Sequence, residues 1–136
     1  VRRILTLGLV LTALFGCAAA ADAAGPTFFA GAVNGRHSRP LTLYLSADGT
    51  LEVVQVNWPR WGGSTADGVG VAEYHGCTPD CAAGRPHHEV VDVRLSDPVS
   101  CRGVRYYNTV RLFSRRSGAP LLEQGLRLEK WAPCRA

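Results

Sequence analysis

Alternation of apolar residues at period two limits this chain most, because it recurs along much of the sequence and no segment sustains a helical period. Leu41, Leu43 and Leu45 alternate with Thr42, Tyr44 and Ser46, and Val91, Val93 and Leu95 alternate with Asp92 and Arg94. Successive side chains of a strand point to opposite faces, so each run reads as a half-buried β-strand. Toward the end, Val104, Tyr106, Val110 and Leu112 share one parity, and Leu122, Leu126 and Leu128 share another. The fold expected is all-β: a small antiparallel sandwich or barrel of about six or seven strands, stapled by disulfides.

Turn residues divide the runs. Asn34-Gly35 suits the positive φ angles of a tight hairpin between strands at 27–33 and 41–46, the second delayed by Pro40. Asp48-Gly49 makes the next turn, leading into a valine-rich strand from Thr50 to Trp58 that Pro59 ends. Val54 and Val56 share the parity of Trp58, which places that indole in the core. A short strand is expected at 69–74. The last hairpin turns across Ser117-Gly118, where a two-residue loop would align Cys101 with Cys134 but oppose apolar and polar parities. A one-residue slip reverses every side chain, so a three-residue loop is expected instead. It sets Val110 beside Leu126 and Leu112 beside Gln124, with a bulge bringing the two cysteines close.

Between these strands runs residues 58–84, WPRWGGSTADGVGVAEYHGCTPDCAAG. So much glycine makes the stretch costly to order, and Trp58, Trp61, Cys77 and Cys81 are its expected pins. Gly68-x-Gly70 is half of a phosphate-loop pattern, yet a strand-like VAEY follows it rather than a helix. Close packing under a tryptophan explains it better.

Arg2 and Arg3, an apolar run from Ile4 to Phe15 and a small-residue tract ending in Ala21-Asp22-Ala23 form a secretory leader, residues 1–23. The run is too short to cross a membrane as a helix. A single β-rich domain, residues 24–136, is expected to follow. A competing lipobox-like Leu14-Phe15-Gly16-Cys17 would make Cys17 a lipidated terminus, the one route expected to a membrane. Export favours oxidation of Cys77, Cys81, Cys101 and Cys134. The favoured pairing is Cys77 with Cys81 and Cys101 with Cys134; a bond from Cys77 or Cys81 to Cys101 stays open.

Net charge is +4 at pH 7, without the basic stripe that nucleic acid requires. His75, His87 and His88 beside Cys77 and Cys81 form a cluster with metal-ligand residue types, but oxidation competes with any metal, and no metal or cofactor is expected. Ser64 and Ser96, His75 or His88, and Asp67 or Asp92 offer catalytic groups without a motif that assembles them. No catalytic residue is assigned. Candidate binding residues are Trp61, expected to be partly exposed, His75, His87, His88, Tyr107 and Trp131. The last two share an outward parity with Arg105, Arg111, Phe113 and Arg127.

The order Trp58-x2-Trp61-Gly62, Ala66-x-Gly68-x-Gly70, Cys77-x-Pro79-x-Cys81-Ala82-x-Gly84, Val91-x-Val93-x-Leu95, Cys101-x-Gly103 and Tyr107 resembles a family of small, secreted, uncharacterised actinobacterial proteins. The resemblance implies an exported, envelope-associated protein of a GC-rich Gram-positive bacterium, and it brings no activity or catalytic residue. A single lysine, Lys130, against fourteen arginines suits such a source. The function expected is a non-catalytic binding or structural module, secreted or held in the extracellular cell envelope. Its partner would be a cell-wall polymer or a protein, met by the 61–84 loops. Competing readings are an envelope hydrolase with a histidine base and a protease inhibitor presenting the Cys77–Cys81 loop.

Overall fold

The computed structural model describes residues 25–32, 35–76, 83–122 and 125–128. They form nine strands and no helix, and so no helix among them is long and apolar enough to cross a membrane. The strands are β1 (Thr27–Phe28), β2 (Leu43–Tyr44), β3 (Leu51–Arg60), β4 (Ala66–His75), β5 (Pro86–Ser96), β6 (Val99–Cys101), β7 (Val104–Tyr106), β8 (Thr109–Ser114) and β9 (Leu126–Arg127). Six of them pair in the order β2-β3-β4-β5-β8-β9, a sheet curled into a half-barrel. The other three form a small sheet, β1-β7-β6. The all-β class is as the alternation implies, with more and shorter strands than six or seven.

The curled sheet closes on a core of Leu43, Leu45, Val53, Val56, Trp58, Val91, Val93, Leu95, Val110 and Leu112, joined by Phe29, Tyr107 and Leu128. Val91, Val93 and Leu95 point inward as their spacing requires, and Leu43 and Leu45 do too, whereas Leu41 is exposed. Strand β3 departs from simple alternation. Three residue steps from Val54 to Asn57 face two on β4, and the same happens from Asn57 to Arg60. Each irregularity inserts one residue into β3, the first around Gln55 at φ 54°. Parity therefore changes at the bulge, and Val53 rather than Val54 is buried with Val56 and Trp58. Pro59 does not end the strand. It lies in the second irregularity, where a missing N–H is tolerated, and β3 runs on to Arg60.

Strand β4 is ten residues long and paired along its whole length with β5, so the glycine-rich stretch is central sheet for half its extent rather than loop. Gly68 and Gly70 make this possible. A Cβ on Gly68 would lie 2.7 Å from Cε3 of Trp58, and one on Gly70 would lie 2.8 Å from Cγ1 of Val53. The packing under a tryptophan that the sequence suggested is found at Gly68, whereas Gly70 lies against Val53, Val56 and the Val54 carbonyl.

Three expected connections differ. Residues 27–33 do not form a hairpin with 41–46: β1 pairs in parallel with β7, Phe29 bridges His37, and Ala32 N–H donates to Tyr44 O at 2.9 Å. Asn34 lies outside the described residues. Val104–Tyr106 and Thr109–Ser114 are not one strand but belong to different sheets, with Tyr107 and Asn108 carrying the chain across. The last hairpin pairs Val110 with Leu126 as expected, yet its tip is a four-residue loop in which Ser114 N–H donates to Ala119 O at 2.8 Å. Leu112 O accepts from Leu121 N–H, and three extra residues before Leu126 restore the expected pairing. Cys101, the last residue of β6, is buried in a small apolar cluster with Ala30 and Tyr106. Cys17, Cys77, Cys81 and Cys134, and with them both expected disulfide pairings and the lipidation alternative, lie outside the described residues.

Candidate functional site

Trp61 follows β3 and packs edge-on against Trp58, ring centroids 4.8 Å apart, and against Tyr107 at 5.5 Å. Its indole N–H donates to Thr27 O at 3.1 Å, and that of Trp58 donates to Pro40 O at 2.8 Å. The Tyr107 hydroxyl accepts from Gly62 N–H at 3.0 Å. Burial pushes its phenol above the ordinary tyrosine range, partly opposed by the Gly62 bond. The three rings thus tie β1 and the β3–β4 turn to the residue where the chain changes sheets. Trp61 is half-buried, close to expectation, but its ring packs against two others and its N–H is engaged. Tyr107 is wholly buried, which corrects its place on an outward face. The run Tyr106–Val110 is buried throughout because a sheet change, unlike a strand, does not return alternate side chains to solvent.

The histidines sit at the far end of the β4–β5 pair. His87 opposes Tyr74 and stacks on it, centroids 5.2 Å apart, while His88 opposes Glu73, with Nδ1 3.5 Å from Oε1. Adjacent strand residues face opposite ways, so His87 and His88 do not converge on one ion. His75 ends β4 with its Nδ1 buried and unpartnered. Among the described residues no three His, Cys, Asp or Glu side chains gather to hold a metal. Nor do the catalytic candidates meet: Ser96 and His88 lie on the same strand about 26 Å apart, and the Ser96 hydroxyl donates to Asp97 at 3.0 Å. Trp131 lies outside the described residues.

A second cluster emerges on the outer face of β3, β4, β5 and β8, where no motif advertises it. Arg60 opposes Asp67, Asp67 opposes Arg94, and Arg94 opposes Arg111, forming one row across four strands. Asp67 bridges its neighbours, with Oδ2 3.3 Å from Arg60 and Oδ1 2.8 Å from Nε of Arg94. The next row is Asn57, Val69, Asp92 and Phe113, and Asp92 is held by Arg115 at 3.2 Å. Between the rows is a groove of about 430 Å³ lined by Arg60, Asp67, Val69, Asp92, Arg94 and Phe113, with Gly118 of the hairpin tip at its rim. Arg60 and Arg94 remain more than half exposed, at 72% and 56% of their side chains, so their outer N–H groups reach solvent. Its chemistry is that of a polar cleft with an apolar floor: guanidinium donors, carboxylate acceptors and one aromatic ring.

Of these residues, Asp67 and Asp92 drew notice from sequence as catalytic orienters, and Arg111 and Phe113 as part of one hairpin's outward face. The missing signal was the length of β4, which gives Asp67 the same parity as Val69 and Val71 and aligns it with Arg94. Compared with known proteins, the chain matches no family model, no curated sequence and no solved structure.

Proposed function

We propose that the chain is a secreted, non-catalytic binding module of the bacterial cell envelope, and that it holds an anionic, hydroxyl-bearing wall polymer in the outer groove. The row of three guanidiniums against one carboxylate, beside a groove with half-buried Phe113 in its lining, carries this reading. Guanidiniums recognise carboxylate and phosphate groups through paired N–H donors, and carboxylates and an aromatic face suit sugar hydroxyls and rings. The leader-like segment at 1–23 and the resemblance to secreted proteins support the location.

Within this reading, contact shifts from the 61–84 loops to the sheet face, because Trp61 is committed to holding two sheets together. The groove's ion pairs are exposed, and retention weakens as salt rises. The test is cosedimentation with isolated Gram-positive cell wall at low salt. Arg94→Ala and Phe113→Ala are each expected to release the protein while leaving its fold intact. Retention of both variants equal to the parent's would defeat the proposal.

A further inference from the structure

We infer that the outer sheet face is also a self-association surface, on which a second copy of this chain docks turned end for end. Beyond the two rows already described, Val54, Val71 and Val90 form a third, and Tyr44, Glu52, Glu73 and His88 form a fourth. The face is therefore graded along its strands. One end carries Arg60 and Arg94 about the single carboxylate of Asp67, the middle carries valines, and the far end carries Glu52 opposite Glu73. Like charges directly opposite on a sheet destabilise it, and among the described residues Glu73 has only His88 to offset this and Glu52 has no cationic partner. Val90 is 49% exposed and Tyr44 40%, two of the three large apolar side chains that stand exposed among the described residues. An apolar stripe between charged rims marks an interaction surface, and here the rims are of opposite sign.

A copy of the same chain answers all three zones. An anionic polymer meets only the arginine end and is repelled by the glutamates. A two-fold axis in the plane of contact, running across the strands between the second and third rows, turns each basic end onto the other copy's acidic end. The same rotation sets the valine row of each copy over the middle of the other. Packed sheets cross at about 30°, which over the roughly 10 Å from the axis to either end displaces the strands by about one strand spacing. Glu73 then faces Arg60 or Arg94 of the other copy, according to the direction of crossing. Because the sheet curls, contact is confined to its three long middle strands, β3, β4 and β5, a footprint of about 14 Å by 27 Å. A standard interface covers roughly 800 Å² on each partner, so this dimer is weak, and its charged rims make it salt-sensitive. The inference does not rest on the polymer reading, with which a docked copy competes for Arg60 and Arg94.

The test is sedimentation velocity of the purified chain at low salt, from micromolar to millimolar concentration, with no wall polymer present. Weight-average mass is expected to rise toward that of two chains and to fall back as salt is added. Dilution of the same samples should shift the backbone amide resonances of Val71 and Val90. Val90→Lys, a change at an exposed position, should weaken association about tenfold by placing a charge in the apolar stripe. Glu73→Arg should weaken it comparably. Association should return when Glu73→Arg is combined with Arg60→Glu or with Arg94→Glu, exchanges that keep the parent's net charge, and the one that succeeds gives the direction of crossing. A monomer at every concentration would overturn the dimer and leave polymer binding in the outer groove standing. Association undiminished in Val90→Lys, or restored by neither exchange in variants whose circular dichroism matches the parent's, would overturn it as well.

Discussion

The α-carbon of Gly68 lies under the six-membered ring of Trp58, so close that a methyl group there would stand 2.7 Å from Cε3 and 3.0 Å from Cζ3. Backbone and indole therefore pack without an intervening side chain, and the core of the half-barrel is filled at that level. Gly68→Ala should destabilise the protein by about 1–3 kcal/mol through overpacking. Gly70→Ala, which would press on Val53, Val56 and the Val54 carbonyl, should cost a similar amount. Urea unfolding of both variants, with an unchanged slope and a lower midpoint, checks this.

Trp61 gives a second test of the same packing. Its ring contacts with Trp58 and Tyr107 and its bond to Thr27 O are all lost in Trp61→Ala, at an expected cost of about 3 kcal/mol. Thermal unfolding would show it directly. Trp61→Phe retains part of the ring contact, loses the N–H bond and should fall between the two. A Trp61→Ala protein as stable as the parent would show that the ring is free for a ligand after all.

Much of this fold was legible in the sequence, for identifiable reasons. Period-two runs located β5 and the inward faces of Leu43, Leu45 and Val110, and parity with an assumed three-residue loop set Val110 beside Leu126, a pairing reached through a different loop. The bulges in β3 were not legible: Gln55 adopts φ 54° although it is neither glycine nor asparagine. One inserted residue there was enough to exchange Val54 for Val53 in the core. The small sheet was hidden in a similar way. Its β6–β7 turn is Arg102-Gly103, both at positive φ, and only the glycine signals it. The outer groove stayed hidden because its charged residues come from separate strands, and only register brings Arg60, Asp67 and Arg94 together.

Asp67 separates binding from stability. Its bonds to Arg60 and Arg94 are exposed on the arginine side, and pairs of that kind contribute roughly 0–1 kcal/mol each. Asp67→Asn should therefore change unfolding free energy by about 1 kcal/mol or less while loosening the two guanidiniums that line the groove. Calorimetric unfolding beside a cell-wall binding isotherm tests this: a binding loss larger than the stability loss is expected.

The β2–β3 turn carries an acid-sensitive contact. Hydrogen bonds from the Thr50 hydroxyl, the Thr50 N–H and the Ser46 hydroxyl lower the Asp48 carboxyl from 3.8 to about 2. A folded-state value below the unfolded one contributes stability that is fully present above about pH 4 and is lost as pH falls toward 2. Asp48→Ala removes that contribution. Stability of parent and variant, measured from pH 6 to pH 2, should converge at the acid end, whereas a constant gap would place the effect elsewhere.

The most direct measurement of the central claim is a backbone amide NMR titration of the protein with soluble fragments of Gram-positive cell wall. The account predicts saturable shifts concentrated at Arg60, Asp67, Val69, Asp92, Arg94 and Phe113, diminishing as salt is added. Undisturbed amides along those strands at saturating fragment, or shifts confined to the 61–65 turn and the His87–His88 end, would contradict it.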